Sequence, residues 1–163
     1  MMVANAFDRD LLRDRASQLE RPMVFTNGVF DLLHRGHVEY LQAARRLGAS
    51  LIVGLNSDAS VRTLNKGIGR PLNCACDRAI VLSALQCVSL VVLFEESTPQ
   101  TLLTQLKPDI YTKGGDYRAR EMPEAALMKT WGGQTIILPY WAGHSTTHLI
   151  ARAHQIHSME QTK

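Results

Sequence analysis

Five short apolar runs recur along the chain: "MVFT" (23–26), "SLIVGLN" (50–56), "SLVVLF" (89–94), "DIYTK" (109–113) and "TIILPY" (135–140). Between them stand segments with helical periodicity, and strands that alternate with helices in this way are read as parallel strands joined by crossover helices. "VEYLQAARRLG" stops at Gly48, "DRAIVLSALQ" is periodic, and "STPQTLLTQL" places Thr98 as N-cap before Pro99 at the first helical position. "MPEAALMKTWGG" has Pro123 early and ends in a glycine pair, and a last helix begins at "STTHLIARAHQ". The expected architecture is α/β: one Rossmann-like, doubly wound, five-stranded parallel sheet in a single domain over residues 22–157. Residues 1–21 form an N-terminal helical extension and 158–163 a short tail.

With 163 residues, of which 45% are hydrophobic, the chain has material for one core and not for two. The formal charge of +3 comes from scattered Lys and Arg with Asp or Glu nearby, which gives no basic stripe and argues against nucleic acid as a partner. Charged and polar residues interrupt every apolar run well short of a membrane span, and the N-terminus lacks the apolar stretch of a signal peptide. Cys74 and Cys76 are too close in sequence for an ordinary bridge, and Cys87 is the odd one left over. A reduced, cytoplasmic protein with small-molecule substrates and no membrane partner is expected.

In a doubly wound sheet the ligand sits beyond the carboxyl ends of the strands, where the strand order reverses. The turn after the first run carries "HRGH", with His34 and His37 on either side of Gly36. Two imidazole donors, a backbone that can be approached closely and a helix N-terminus make a phosphate site. A lone histidine there would be read as a surface or capping residue; the pair and the glycine favour the ligand. Zinc is disfavoured, because no Cys or carboxylate stands at convincing spacing. Dinucleotide binding lacks its GxGxxG, since "GIGRPL" is broken at the third glycine, and no GxxxxGK[ST] loop occurs.

"NGVFDLLHRGHVEYL" resembles the HxGH signature of the nucleotidyltransferase superfamily, which includes the cytidylyltransferases and pantetheine-phosphate adenylyltransferase. "GLNSDASVRTLNKGIGRPLN", "DRAIVLSAL", "LFEESTPQTLLTQLKPDIYTKGGDY" and "GHSTTHLIARA" then follow in the order and spacing of the ADP-heptose-forming adenylyltransferases of lipopolysaccharide biosynthesis. The likeness runs from about residue 22 to 157. It implies transfer of AMP from ATP to D-glycero-β-D-manno-heptose 1-phosphate, with release of pyrophosphate and with Mg²⁺ carried on ATP, not in a metal site of the protein. It also implies a homo-oligomer in a Gram-negative cytoplasm, supplied by a separate sugar kinase and phosphatase. The alternatives are a cytidylyltransferase for a glycerol- or ethanolamine-type phosphate and a nucleotide-binding module without turnover.

Carried over residue by residue, the resemblance gives His34, His37 and Lys66 as catalytic. Nucleotide contacts fall to Asn27, Gly28, Val29, Phe30, Gly36, His37, Asn56, Asp58, Arg78, Lys113, Gly114, Gly115, Ser145, Thr146 and Thr147. Acceptor contacts fall to Asp31, Arg70, Asp116 and Tyr117. Each has a chemical rationale. A phosphate monoester is ionised at neutral pH and needs no general base, so catalysis rests on orientation and on donors around the phosphoryl oxygens. Ser145 to Thr147 stand at a helix start, where plain capping would account for one hydroxyl of the three. At His144 the likeness breaks, since relatives mostly carry a small or apolar residue there.

Overall fold

In a computed structural model of the chain, residues 3–5, 8–64, 67, 69–115, 122–139 and 143–160 are described. Six strands, β1 (Val3–Asn5), β2 (Met23–Gly28), β3 (Ser50–Asn56), β4 (Leu90–Phe94), β5 (Ile110–Gly114) and β6 (Gln134–Leu138), form one sheet in the order β1-β4-β3-β2-β5-β6. Every pairing is parallel. The five expected strands are all present, and β1 adds a sixth at the edge beside β4. Three residues are too few to carry a periodic signal, which is why "VAN" does not read as a strand.

Helices α1 (Arg9–Ser17), α2 (Arg35–Arg45), α3 (Asp58–Thr63), α4 (Ala75–Ser83), α5 (Gln100–Leu106), α6 (Pro123–Lys129) and α7 (Thr146–Glu160) follow between and after the strands. The expected N-terminal helix is α1, capped by the Asp8 carboxylate, which accepts from the Leu11 amide at 3.0 Å. Its Leu12 is buried with Ala4 of β1 in the main core, so this segment packs on the sheet. At α5 the expected start shifts by one residue: Pro99 is itself the N-cap, and Thr98 lies outside, exposed. Helix α3 was not legible as a periodic run; Ser57 caps it, its hydroxyl accepting from the Ser60 amide. Among the described residues no helix is long and apolar enough to cross a membrane.

Alternate residues of the central strands feed two cores. Met23 and Phe25 of β2 and Ile52 of β3 join Leu12, Leu102, Leu103, Leu106 and Met128 on one face. Val24 of β2 and Leu51, Val53 and Leu55 of β3 join Leu41, Ala44, Ala79 and Leu82 on the other. A strand buried on both faces reads as a continuous apolar run, and this is what the sequence shows at β3 and β4. From β2 the chain steps outward through β3 and β4, then returns to place β5 on the other side of β2. The order therefore reverses at β2 and β5, and the crevice beyond their carboxyl ends is the place for a ligand.

Candidate active site

A cleft of about 420 Å³ opens at that point. The end of β2 supplies Asn27 and Gly28, the turn after it Val29 and Phe30, α2 and its cap His34, Gly36, His37 and Tyr40, and the end of β5 Lys113 and Gly114. Asn56 closes it from β3, and His144, Ser145 and Thr146 from the start of α7. Two helix N-termini thus face one cavity, each with amides that have no intrahelical acceptor and the positive end of its dipole.

His34 is the N-cap of α2 and holds extended backbone angles, while its carbonyl accepts from the His37 amide at 2.9 Å. This turn brings the two imidazoles face to face, 3.8 Å between centroids and 21° between planes. Phe30, at a positive φ of 47°, meets the other side of His37 edge-on at 5.2 Å. A Cβ on Gly36 would lie 3.1 Å from His34 Nδ1 and 3.0 Å from the His144 Cβ, so the glycine of the motif makes room for rings on both sides. Gly114 serves Tyr40 in the same way, its missing Cβ position lying 3.2 Å from the tyrosine ring.

The electrostatics keep the pair neutral. Burial, and then the adjacent His34, push the His37 imidazole down from its usual 6.5 to about 4, against the opposing effect of the nearby Leu32 backbone. Burial, and then His144, hold His34 below its ordinary value. Nδ1 of each ring is buried and has no hydrogen-bond partner. Such orphaned polar atoms are rare in folded chains and call for an explanation.

Four predicted contacts form the frame around the cleft, not its lining. Asp31 is buried, and its carboxylate accepts from the Arg70 Nε and from the amides of Leu72 (2.8 Å) and Asn73 (3.0 Å). Burial alone would raise this carboxyl, but the Asn73 and Leu72 amides and the Arg70 guanidinium together hold it below its usual value. Arg78 is also buried, and its guanidinium donates to the carbonyls of Asn73 (3.0 Å), Val29 (2.6 Å) and Asn56 (2.9 Å) and to the Asp58 carboxylate (2.7 Å). Asp31, Arg70, Asp58 and Arg78 thereby tie the turn after β2 to the end of β3, to α3 and to the segment before α4.

Ser145 spends its hydroxyl as a cap, accepting from the His148 amide at 3.1 Å, while Thr146 Oγ1 donates to the Leu32 carbonyl at 3.3 Å and docks α7 on the histidine turn. Thr147 is exposed and Gly115 stands beyond β5, its amide donating to Leu138; neither lines the cleft. Lys66, Asp116 and Tyr117 lie outside the described residues. Lys113 Nζ donates to Asn27 Oδ1 at 3.4 Å, and the same oxygen accepts from the Tyr111 hydroxyl at 2.9 Å.

Sequence reasoning gave no site role to Tyr40, Leu64, Ser97, Pro139 or His144, all of which line the cleft. The Tyr40 hydroxyl shares protons with Thr26 (2.7 Å) and Thr112 (3.1 Å), and burial raises it above its usual range. A helical count from His37 to Tyr40 puts both on adjacent faces of α2, the one signal that could have found the tyrosine.

Comparison with known proteins gives the family and the fold. The model of the family described as cytidylyltransferase-like matches residues 25–152. The D-beta-D-heptose 1-phosphate adenylyltransferase of Bordetella bronchiseptica is 54% identical over 140 residues, 86% of each chain. The bifunctional protein HldE of Streptomyces coelicolor is 57% identical over 131 residues, which are 80% of this chain and 28% of that longer protein. Among solved structures, the lipopolysaccharide core biosynthesis protein of Thermoplasma volcanium superposes with a TM-score of 0.59 at 30% identity, over 73% of this chain and 95% of that one. A pantoate-beta-alanine ligase from Francisella tularensis, at 15% identity and a TM-score of 0.57 over 85% of this chain and 67% of its own, shares the fold.

Proposed function

Because the chain belongs to the cytidylyltransferase-like family, we propose that it is an adenylyltransferase that moves AMP from ATP to D-glycero-β-D-manno-heptose 1-phosphate, forming ADP-heptose and pyrophosphate. The observation that carries nucleotidyl transfer is the stacked His34–His37 pair, with its orphaned ring nitrogens, in a cleft faced by two helix N-termini. The acceptor follows from the relative that is 54% identical over 86% of both chains.

The acceptor phosphate attacks the α-phosphorus in line while the bond to the β-phosphate oxygen breaks. No base is needed, so the chain has to orient two anions and stabilise charge on the phosphoryl oxygens. His34 and His37 would donate to the α-phosphate, and the amides at the start of α2 and α7 would hold the rest of the triphosphate. Asp31, Arg70 and Arg78 act through the backbone they hold, as positioning residues. For Lys66 we propose a triphosphate contact, and for Asp116 and Tyr117 contacts with acceptor or ribose hydroxyls.

Among the described residues no group of three His, Cys, Asp or Glu could hold a metal. The lining residues with side-chain oxygens, Asn27, Tyr40, Asn56, Ser97, Ser145 and Thr146, include no carboxylate. They suit a magnesium ion that enters on the triphosphate and keeps its water, and would not cage a free one. Such an ion would supply positive charge to the phosphoryl oxygens. With ATP and a sugar phosphate as substrates the reaction belongs in the cytoplasm, behind a kinase and a phosphatase that make the acceptor.

A matrix of the four nucleoside triphosphates against heptose 1-phosphate, glycerol 3-phosphate and phosphoethanolamine, read by pyrophosphate release, tests this reading. Turnover with ATP and heptose 1-phosphate alone is expected. Turnover with CTP and a polyol phosphate instead would overturn it.

A further inference from the structure

His144 faces the cleft, with its ring 6.4 Å from that of His34 and inclined to it by only 23°. The three imidazoles lie in one row, His37 and His34 face to face and His144 6.4 Å beyond at a near-parallel tilt, with the buried Phe30 ring edge-on behind His37. Its inner end adjoins the start of α2. Its outer end immediately precedes Ser145 and Thr146, where α7 begins with amides that have no helical acceptor. A single strip of ring donors therefore connects two anion-attracting helix ends.

A triphosphate has its reacting phosphorus at one end and its departing pyrophosphate at the other. We propose that His144 is a substrate-binding residue for the departing part, its ring N–H donating to a β- or γ-phosphate oxygen while the His34–His37 pair serves the α-phosphate; this rests on the nucleotidyl-transfer reading given above. In the reaction the new bond forms between an acceptor phosphate oxygen and the α-phosphorus. The bond from that phosphorus to the bridging oxygen breaks, and its electron pair leaves on pyrophosphate. An N–H placed beside that oxygen stabilises the arriving charge without transferring its proton.

Titration calorimetry of the wild type and of His144→Ala, His144→Phe and His144→Gln, with magnesium pyrophosphate and separately with AMP, tests the assignment. A hydrogen bond to a charged group should be worth about tenfold in affinity. Pyrophosphate binding should therefore weaken about tenfold in the Ala and Phe variants and return to within about threefold of wild type in Gln, which keeps an N–H. AMP binding should stay within about twofold. Unchanged pyrophosphate affinity in His144→Ala, an equal loss for AMP, or a Gln variant as weak as Ala would each overturn the proposal. Neither ligand is a sugar phosphate, so failure of the wild type to make ADP-heptose would strike the functional reading alone.

Discussion

Acidification from pH 7 to 4.5 should destabilise the wild-type fold by about 2 kcal/mol more than it destabilises His37→Phe. In the folded chain burial, and then the neighbouring His34, keep His37 at about 4, whereas the unfolded chain titrates near the ordinary 6.5. Between those values the unfolded state binds more protons, so stability is present in full above about 6.5 and is lost as the pH falls through about 4. At about 1.4 kcal/mol per pH unit the whole gap amounts to about 3 kcal/mol, and solvent that reaches the ring from the cleft brings this to about 2. Phenylalanine keeps an aromatic ring against Phe30 and has nothing to protonate. Urea unfolding followed by circular dichroism at the two pH values gives the difference directly. Equal losses in the two proteins would show that the imidazole is not held neutral by its surroundings, and the electrostatic account of the pair would be wrong.

Removal of one donor to a developing charge costs about 10²–10³ in turnover, so His37→Ala should lower kcat by about that factor and leave ATP binding nearly unchanged; single-turnover rates at saturating substrate check this, and a full chemical rate in folded protein refutes it. Gly36→Ala should gain up to about 1 kcal/mol of helix propensity yet lose more than about tenfold in turnover, because the new Cβ pushes on His34 and His144. A thermal melt beside a turnover assay separates the two effects, and unimpaired turnover would contradict the close approach. Arg78→Met should destabilise by about 3–5 kcal/mol, since it strands a partly buried Asp58 carboxylate and three carbonyls; a loss below about 1 kcal/mol in urea would show that the guanidinium is dispensable.

Five of the six strands were legible because each carries a short β-rich apolar run, nearly continuous in β3 and β4 where both faces are buried, and the histidine turn because Gly36 and two imidazoles are conspicuous between a strand and a helix. Asp31, Arg70 and Arg78 were singled out, yet their role in holding backbone was not, because all their partners but the Asn73 carbonyl, five residues before Arg78, stand 20 to 49 residues away and no local spacing encodes them. The same holds for Tyr40, whose hydroxyl partner Thr112 lies 72 positions along the chain. His144 was visible only as a departure; the proximity of its ring to His34 depends on how α7 docks through Thr146 onto the Leu32 carbonyl.

Arg78 has a consequence beyond holding segments together. The carbonyls of Val29 and Asn56 stand where two strands run out, and left bare they would present a fringe of partial negative charge to an entering triphosphate. The guanidinium lies beneath that fringe and takes up the oxygens of Val29 and Asn56, next to the ends of the two central strands. With its charge balanced by Asp58 it works as a lining of hydrogen bonds, too deep to bind the nucleotide, that occupies oxygens a polyanion would otherwise meet bare.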